Sequence, residues 1–181
     1  DFDADRDEAL QRARDAGMRH LLCIASLARD LDATREFSEK HPDVHFAAGL
    51  HPHDARLWDS GLRRRLEEAL SHPRLLAIGE IGLDYHYNHS PREMQREAFR
   101  AQIQLARAHR LPIVIHTREA HDETLRILDE ESALEVGGVF HCFSGNQAMA
   151  DFALERGFRI SFSGSLTFKN AESLRQIASA L

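Results

Sequence analysis

The sequence is poor in the features that mark secreted, membrane-spanning or nucleic-acid-coating chains. Cysteine occurs only as Cys23 and Cys142. With no C-x-x-C spacing, a disulfide scaffold and a thiolate zinc site are both disfavoured, and the two residues, each in an apolar run, are expected to be reduced core thiols. No apolar run approaches the roughly 18 residues of a membrane span. The acidic opening DFDADRDEAL is unlike the basic and then apolar start of a signal peptide. A cytoplasmic location with no membrane contact is the expectation. Positive charge is in the minority, 23 Lys and Arg against 29 Asp and Glu for a net charge of −6. That weighs against an extended nucleic-acid groove while leaving room for a local site that holds phosphate through metal ions or a few basic side chains. No Pro-rich or Ser-rich linker, low-complexity tract or charge block interrupts the 181 residues, so one domain over 1–181 is expected, with no obligate protein partner.

What the chain does have is alternation. Apolar, strand-like runs at His20–Ser26, Val44–Leu50, Leu75–Leu83, Leu111–Thr117, Gly137–Ser144 and Phe158–Gly164 are separated by stretches of helical period. The helices are expected near Asp5–Ala16, Leu27–Lys40, Ser60–Ser71, Pro91–Ala108, Ala120–Glu130 and Asn146–Arg156, with a last one from about Ala171. Ser90-Pro91-Arg92-Glu93 has the form of a capping box with proline at the first helical position. Six strands and seven helices in alternation imply a parallel sheet. No Gly-x-Gly-x-x-Gly turn follows the first strand, and reactive residue types gather at strand C-termini, so the expected fold is an α/β (β/α)8 TIM barrel. Such a barrel takes about 250 residues and eight strands. The expectation is therefore an incomplete barrel, with strands 2–7 present, the first and eighth missing and the domain truncated at both ends.

Three of the runs end alike: AIGE on Glu80, IVIH on His116 and GVFH on His141. Alternation along strands predicts that Ile78, Val114 and Val139 point into the barrel and that Glu80, His116 and His141 do so two residues later. Imidazole and carboxylate so arranged suit zinc, manganese or a similar divalent ion, and a carboxylate can bridge two. Taken singly, a strand-end histidine is more often structural, and a lone buried glutamate can pair with an arginine such as Arg118. Three at matching ends favour a metal site. His51, first after its strand, is placed to hold a substrate oxygen or a second metal, and His53 is the weaker candidate. Asp84 is either an orienting partner of a ligand histidine or a turn residue. Arg118 either forks onto a phosphate or pairs with Glu119 or Asp122. Lys169 and Asn170 read as a solvated loop, and His86, His89 and His121 as surface residues.

The blocks GLHPHD (49–54), GEIGLDYH (79–86), LPIVIHTREA (111–120), FHCFSG (140–145) and ISFSGSLTFKNA (160–171) together resemble the TatD family of metal-dependent deoxyribonucleases in the amidohydrolase superfamily. The resemblance runs along the whole chain. It implies a TIM barrel with two divalent ions (Mg, Mn, Zn or Co), Glu80 as the bridging carboxylate, and His116 and His141 as ligands of one ion. His51 and Arg118 would orient the phosphate of a DNA substrate attacked from an end. The family's first-strand His-x-His pair and eighth-strand aspartate have no counterpart in these residues. Two other activities stay open: hydrolysis of an ester or amide such as an aminoacyl ester or lactone, and a non-catalytic binding module.

Overall fold

The computed structural model describes residues 4–26 and 28–181. Among the described residues six strands, β1 (Leu21–Ala25), β2 (Val44–Ala48), β3 (Leu75–Asp84), β4 (Ile113–Arg118), β5 (Gly138–Phe140) and β6 (Arg159–Ile160), form one parallel sheet in sequence order. The sheet is open: β1 and β6 are not paired with each other. Among the described residues, seven α-helices connect or flank the strands: α1 (Arg6–Asp15), α2 (Ala28–Lys40), α3 (Ser60–Ala69), α4 (Arg92–His109), α5 (His121–Glu130), α6 (Gln147–Glu155) and α7 (Glu172–Ala180). Leu27, the expected first residue of α2, lies outside the described residues. No helix among the described residues is long and apolar enough to cross a membrane.

The sheet has two unlike faces. On one, Phe46, Ala48, Ile78, Ile81, Ile113, Ile115 and Phe140 pack with helix residues such as Phe99, Ile103 and Ile127 into the main core. On the other, Ala47, Ala77 and Val114 are packed with Ile24 and Val139, all of them strand residues. Val114 and Val139 thus take the inner, helix-free face as expected, but Ile78 does not: it is fully buried against the helix layer. The reason lies in β3, whose pairing with β4 shifts between Gly79 and Ile81. Gly79 pairs with Val114 and Ile81 with Ile115, so Glu80 has no counterpart on β4. An extra residue of this kind reverses the alternation. Glu80 therefore reaches the inner face through a bulge rather than two residues on from an inward Ile78. Gly82, with φ of +147°, pairs with His116, and a Cβ there would lie 1.9 Å from the His116 carbonyl oxygen. Only glycine allows β3 and β4 to approach so closely beside Glu80.

Helix α4 carries one buried face: Gln95, Ala98, Phe99, Gln102, Ile103, Leu105 and Ala106. It stops where Arg110 turns left-handed at φ +55°. Its start departs from the capping box. The N-cap position is Pro91 and no side chain caps the helix, because the Ser90 hydroxyl instead donates to the His53 carbonyl at 2.7 Å and accepts from the Arg56 N–H. The cysteines also depart from expectation in part. Both are free, but Cys142 is exposed on a left-handed residue (φ +47°) just after β5, where the strand has already ended.

Candidate metal centre

The C-terminal ends of β2, β3 and β4 bring the reactive side chains together. Glu80 and His116 lie on the inner face, and His51 follows β2 as the cap of a short 3-10 turn, 52–57, that the proline at 52 opens. The Glu80 Oε1 stands 3.1 Å from His116 Nδ1, and His51 Nε2 stands 3.3 Å from the same nitrogen. These three residues are the group of possible ion ligands among the described residues, their ligand atoms within 4.8 Å of one another. His116 Nε2 lies 3.0 Å from Asp84 Oδ2, which also meets His53 Nε2 at 2.9 Å. Asp84 is the last residue of β3 rather than a loop residue, and it is only 1% exposed. Its Oδ1 accepts the Tyr87 N–H at 2.9 Å, and its backbone is held at both ends by Gln95, which accepts from the Asp84 N–H at 2.8 Å and donates to its carbonyl at 3.0 Å.

The protonation states follow from this packing. Burial would push Glu80 up, but the hydrogen bond and charge of His116 outweigh it, so the carboxyl lies below its ordinary range. Burial opposes Asp84 in the same way, yet the Tyr87 N–H, His53 and His116 hold it down at about 2. His116 is opposed by burial and raised by its two carboxylate partners, with a net upward shift. For His51, burial and the neighbouring His116 act together and lower it to about 4. His51 is therefore neutral near pH 7. Its Nδ1 accepts the His53 backbone N–H at 3.2 Å, so that nitrogen is bare and Nε2 carries the ring proton. An ion that binds an imidazole nitrogen displaces the proton there.

The spacing of these donor atoms suits a divalent ion. Ligand atoms roughly 2.0–2.1 Å from one tetrahedral ion stand roughly 3.3 Å apart, close to the 3.1 Å between Glu80 Oε1 and His116 Nδ1. Asp84 on the opposite ring nitrogen supplies the carboxylate–histidine pairing usual behind a metal-bound imidazole. Glu80, His116 and His51 stand at distances that fit an ion, and His51, neutral and held by the His53 N–H, also fits a hydrogen-bond donor beside one.

The other expected residues are placed as follows. His141 follows β5 and its backbone N–H donates to the Ile115 carbonyl. It stands outside the three-residue group, with Nε2 3.3 Å from Cys142 Sγ, although its charge acts on Glu80. Arg118 makes no ion pair among the described residues, with Glu119 and Asp122 included. Its guanidinium lies 4.7 Å from the Tyr87 ring centre. Lys169 and Asn170 are exposed. His121, expected at the surface, is half-buried and its ring meets the Thr117 hydroxyl. Gln95 escaped the sequence reading, although a glutamine seven residues before a second one, Gln102, on the apolar face of α4 was a visible signal.

A family description of TatD related DNase matches residues 1–181. The chain is 36% identical over 97% of its length to the uncharacterized metal-dependent hydrolase YabD of Bacillus subtilis (strain 168), of which it spans 69%. It is 38% identical over 90% of its length to a protein of Cronobacter turicensis named 3'-5' ssDNA/RNA exonuclease TatD, of which it spans 62%. Among solved structures it superposes with a TM-score of 0.91 on YJJV, a TatD homolog from Escherichia coli K12, at 28% identity over 99% of this chain and 70% of that one. A hydrolase TatD family protein from Entamoeba histolytica gives 0.80 at 26% identity, over 88% and 56% of the two chains.

Proposed function

The chain belongs to the TatD related DNase family, and from that premise we propose that it is a metal-dependent hydrolase that cleaves phosphodiester bonds at an end of single-stranded DNA. The six parallel strands are taken as consecutive strands of one (β/α)8 barrel domain with its site at their C-terminal ends. Two divalent ions are assigned to Glu80, His116 and His141. Such ions, when bound, polarise a phosphoryl oxygen, make water nucleophilic near neutral pH and offset the charge that develops during displacement.

The rest is done by the chain. Glu80 is kept ionised by His116, and Asp84 fixes the His116 ring by taking its Nε2–H. His51 presents its Nε2–H to a phosphate oxygen, a donor already oriented by the His53 N–H. Arg118, steadied on Tyr87 and engaged by no carboxylate among the described residues, offers its fork to the same phosphate. An end-directed enzyme engages few phosphates, which accords with a net charge of −6.

The observation that carries the proposal is the line Asp84–His116–Glu80, a partly buried imidazole held between two carboxylates at the mouth of a parallel sheet. The test supplies the purified protein with magnesium, manganese, cobalt or zinc and a 5'-labelled single-stranded oligonucleotide. Stepwise shortening that disappears in Glu80→Gln is expected. Retained cleavage in that variant overturns the assignment of Glu80. Turnover of an aminoacyl ester or lactone with no cleavage of DNA under any of the four metals replaces the nuclease by an ester hydrolase. Metal binding without turnover of either class replaces it by a non-catalytic module.

A further inference from the structure

Beside the metal centre stands an exposed group of rings to which nothing so far gives a task. Tyr87 is 50% exposed. Its ring is stacked with that of His89 at 5.6 Å and an interplanar angle of 6°, and it meets His53 and His86 edge-on at 5.5 and 4.7 Å. The Arg118 guanidinium rests on it. The contrast with Tyr85 is instructive. That ring is partly buried, lies under Arg92 and gives its hydroxyl to Glu123, so packing accounts for it. The Tyr87 hydroxyl makes no hydrogen bond among the described residues, and half of its surface faces solvent.

The position of the group is as telling as its exposure. The Tyr87 N–H is bonded to Asp84, the carboxylate that orients His116. The His53 ring bridges the two sites, in edge contact with His51 at 4.4 Å on one side and with His89 at 4.7 Å on the other. The rings thus begin one side chain from the groups that would hold the scissile phosphate. A flat aromatic face next to a phosphate site suits a nucleobase, which stacks on aromatic side chains whatever its sequence.

We propose that Tyr87 and His89 form a stacking platform for the base adjoining the scissile phosphate of a single-stranded nucleic acid, with Arg118 held by the same ring to face that phosphate. The inference rests on the phosphodiesterase assignment above and adds to it the group that recognises the substrate. Because stacking is indifferent to base identity, the platform selects unpaired strands without selecting sequence, whereas a base in a duplex already has its faces occupied.

Two measurements test it. The first is binding of a 5'-fluorescein oligothymidylate without divalent metal, followed by anisotropy. Tyr87→Ala is expected to weaken binding by roughly tenfold and Tyr87→Trp to restore it, as base–aromatic stacking commonly contributes. The second is cleavage of an oligonucleotide whose terminal residues lack their bases. The wild type should lose roughly tenfold in kcat/KM on removal of the bases, chiefly through KM, while Tyr87→Ala should be nearly indifferent to it. Equal loss in Tyr87→Ala on both substrates points to a structural residue and overturns the platform, as does unchanged binding. Cleavage with unchanged binding in Tyr87→Ala leaves the nuclease standing and removes the platform. Binding that depends on Tyr87 without any cleavage does the reverse, and absence of both removes both.

Discussion

At the scale of single residues, the decisive distinction is between His116 and His51, two histidines 3.3 Å apart with opposite electrostatics. His116 lies between two carboxylates and His51 against the His53 N–H, so the first is suited to ligate and the second to donate. Manganese or zinc at about 100 times its dissociation constant should stabilise the protein by ~2.7 kcal/mol, seen as a rise in melting temperature. His116→Ala and Glu80→Gln should abolish that rise, whereas His51→Ala should keep it and lose its activity, by roughly a hundredfold for one oriented donor. A His51→Ala protein that no longer responds to metal would make His51 a ligand after all. The meeting of Glu80 and His116 was legible in the sequence because each closes an apolar run, whereas His141, which closes one too, stands outside the group of possible ligands. The tie between His53 and Asp84 was not, since it joins residues 31 positions apart on different elements.

At the scale of elements, the site is held up by α4. Gln102 binds the Leu50 backbone through its N–H and carbonyl, at 2.7 and 3.2 Å, as Gln95 binds that of Asp84. The two glutamines thus anchor the C-terminal ends of β2 and β3 to one helix, next to His51 and to the carboxylate behind His116. Gln95→Leu would leave the buried Asp84 N–H and carbonyl without partners, at a cost of roughly 1–3 kcal/mol per group. Urea unfolding should show that loss. Metal affinity should fall with it, since Asp84 positions His116; an affinity equal to wild type would confine Gln95 to stability. Helix and strand positions were largely legible from period alone, six runs becoming six strands. What period misjudged was the face of Ile78, because the register shift at Glu80 depends on how β3 meets β4. The glycines flanking that residue, Gly79 and Gly82, were the local sign of it.

At the scale of the molecule, the sheet is tied to its outer helices by ion pairs that span long stretches of chain. Arg14 on α1 forks onto Asp43 just before β2, at 2.8 and 2.6 Å. The hydrogen bond from Arg14 holds the Asp43 carboxyl down at about 2. Because the folded value lies below the ordinary one of 3.8, the pair stabilises the protein above about pH 4 and loses that contribution as pH falls toward 2. Asp43→Asn should therefore lower the melting temperature at pH 7, and the gap from wild type should narrow between about pH 4 and 2. A gap that stays constant over that range would show that the contribution of Asp43 is not that of a charged group.

By itself the sequence determined the alternation of strand and helix, the parallel sheet, and which residue types stand at the strand ends, because hydrophobic period and strand-end position are properties of neighbouring residues. The tertiary structure alone decided which face Glu80 takes, that His116 stands between Glu80 and Asp84, and that Tyr87 and His89 stack beside it. Each of those depends on a register or a contact between elements far apart in the chain, where no local pattern reaches.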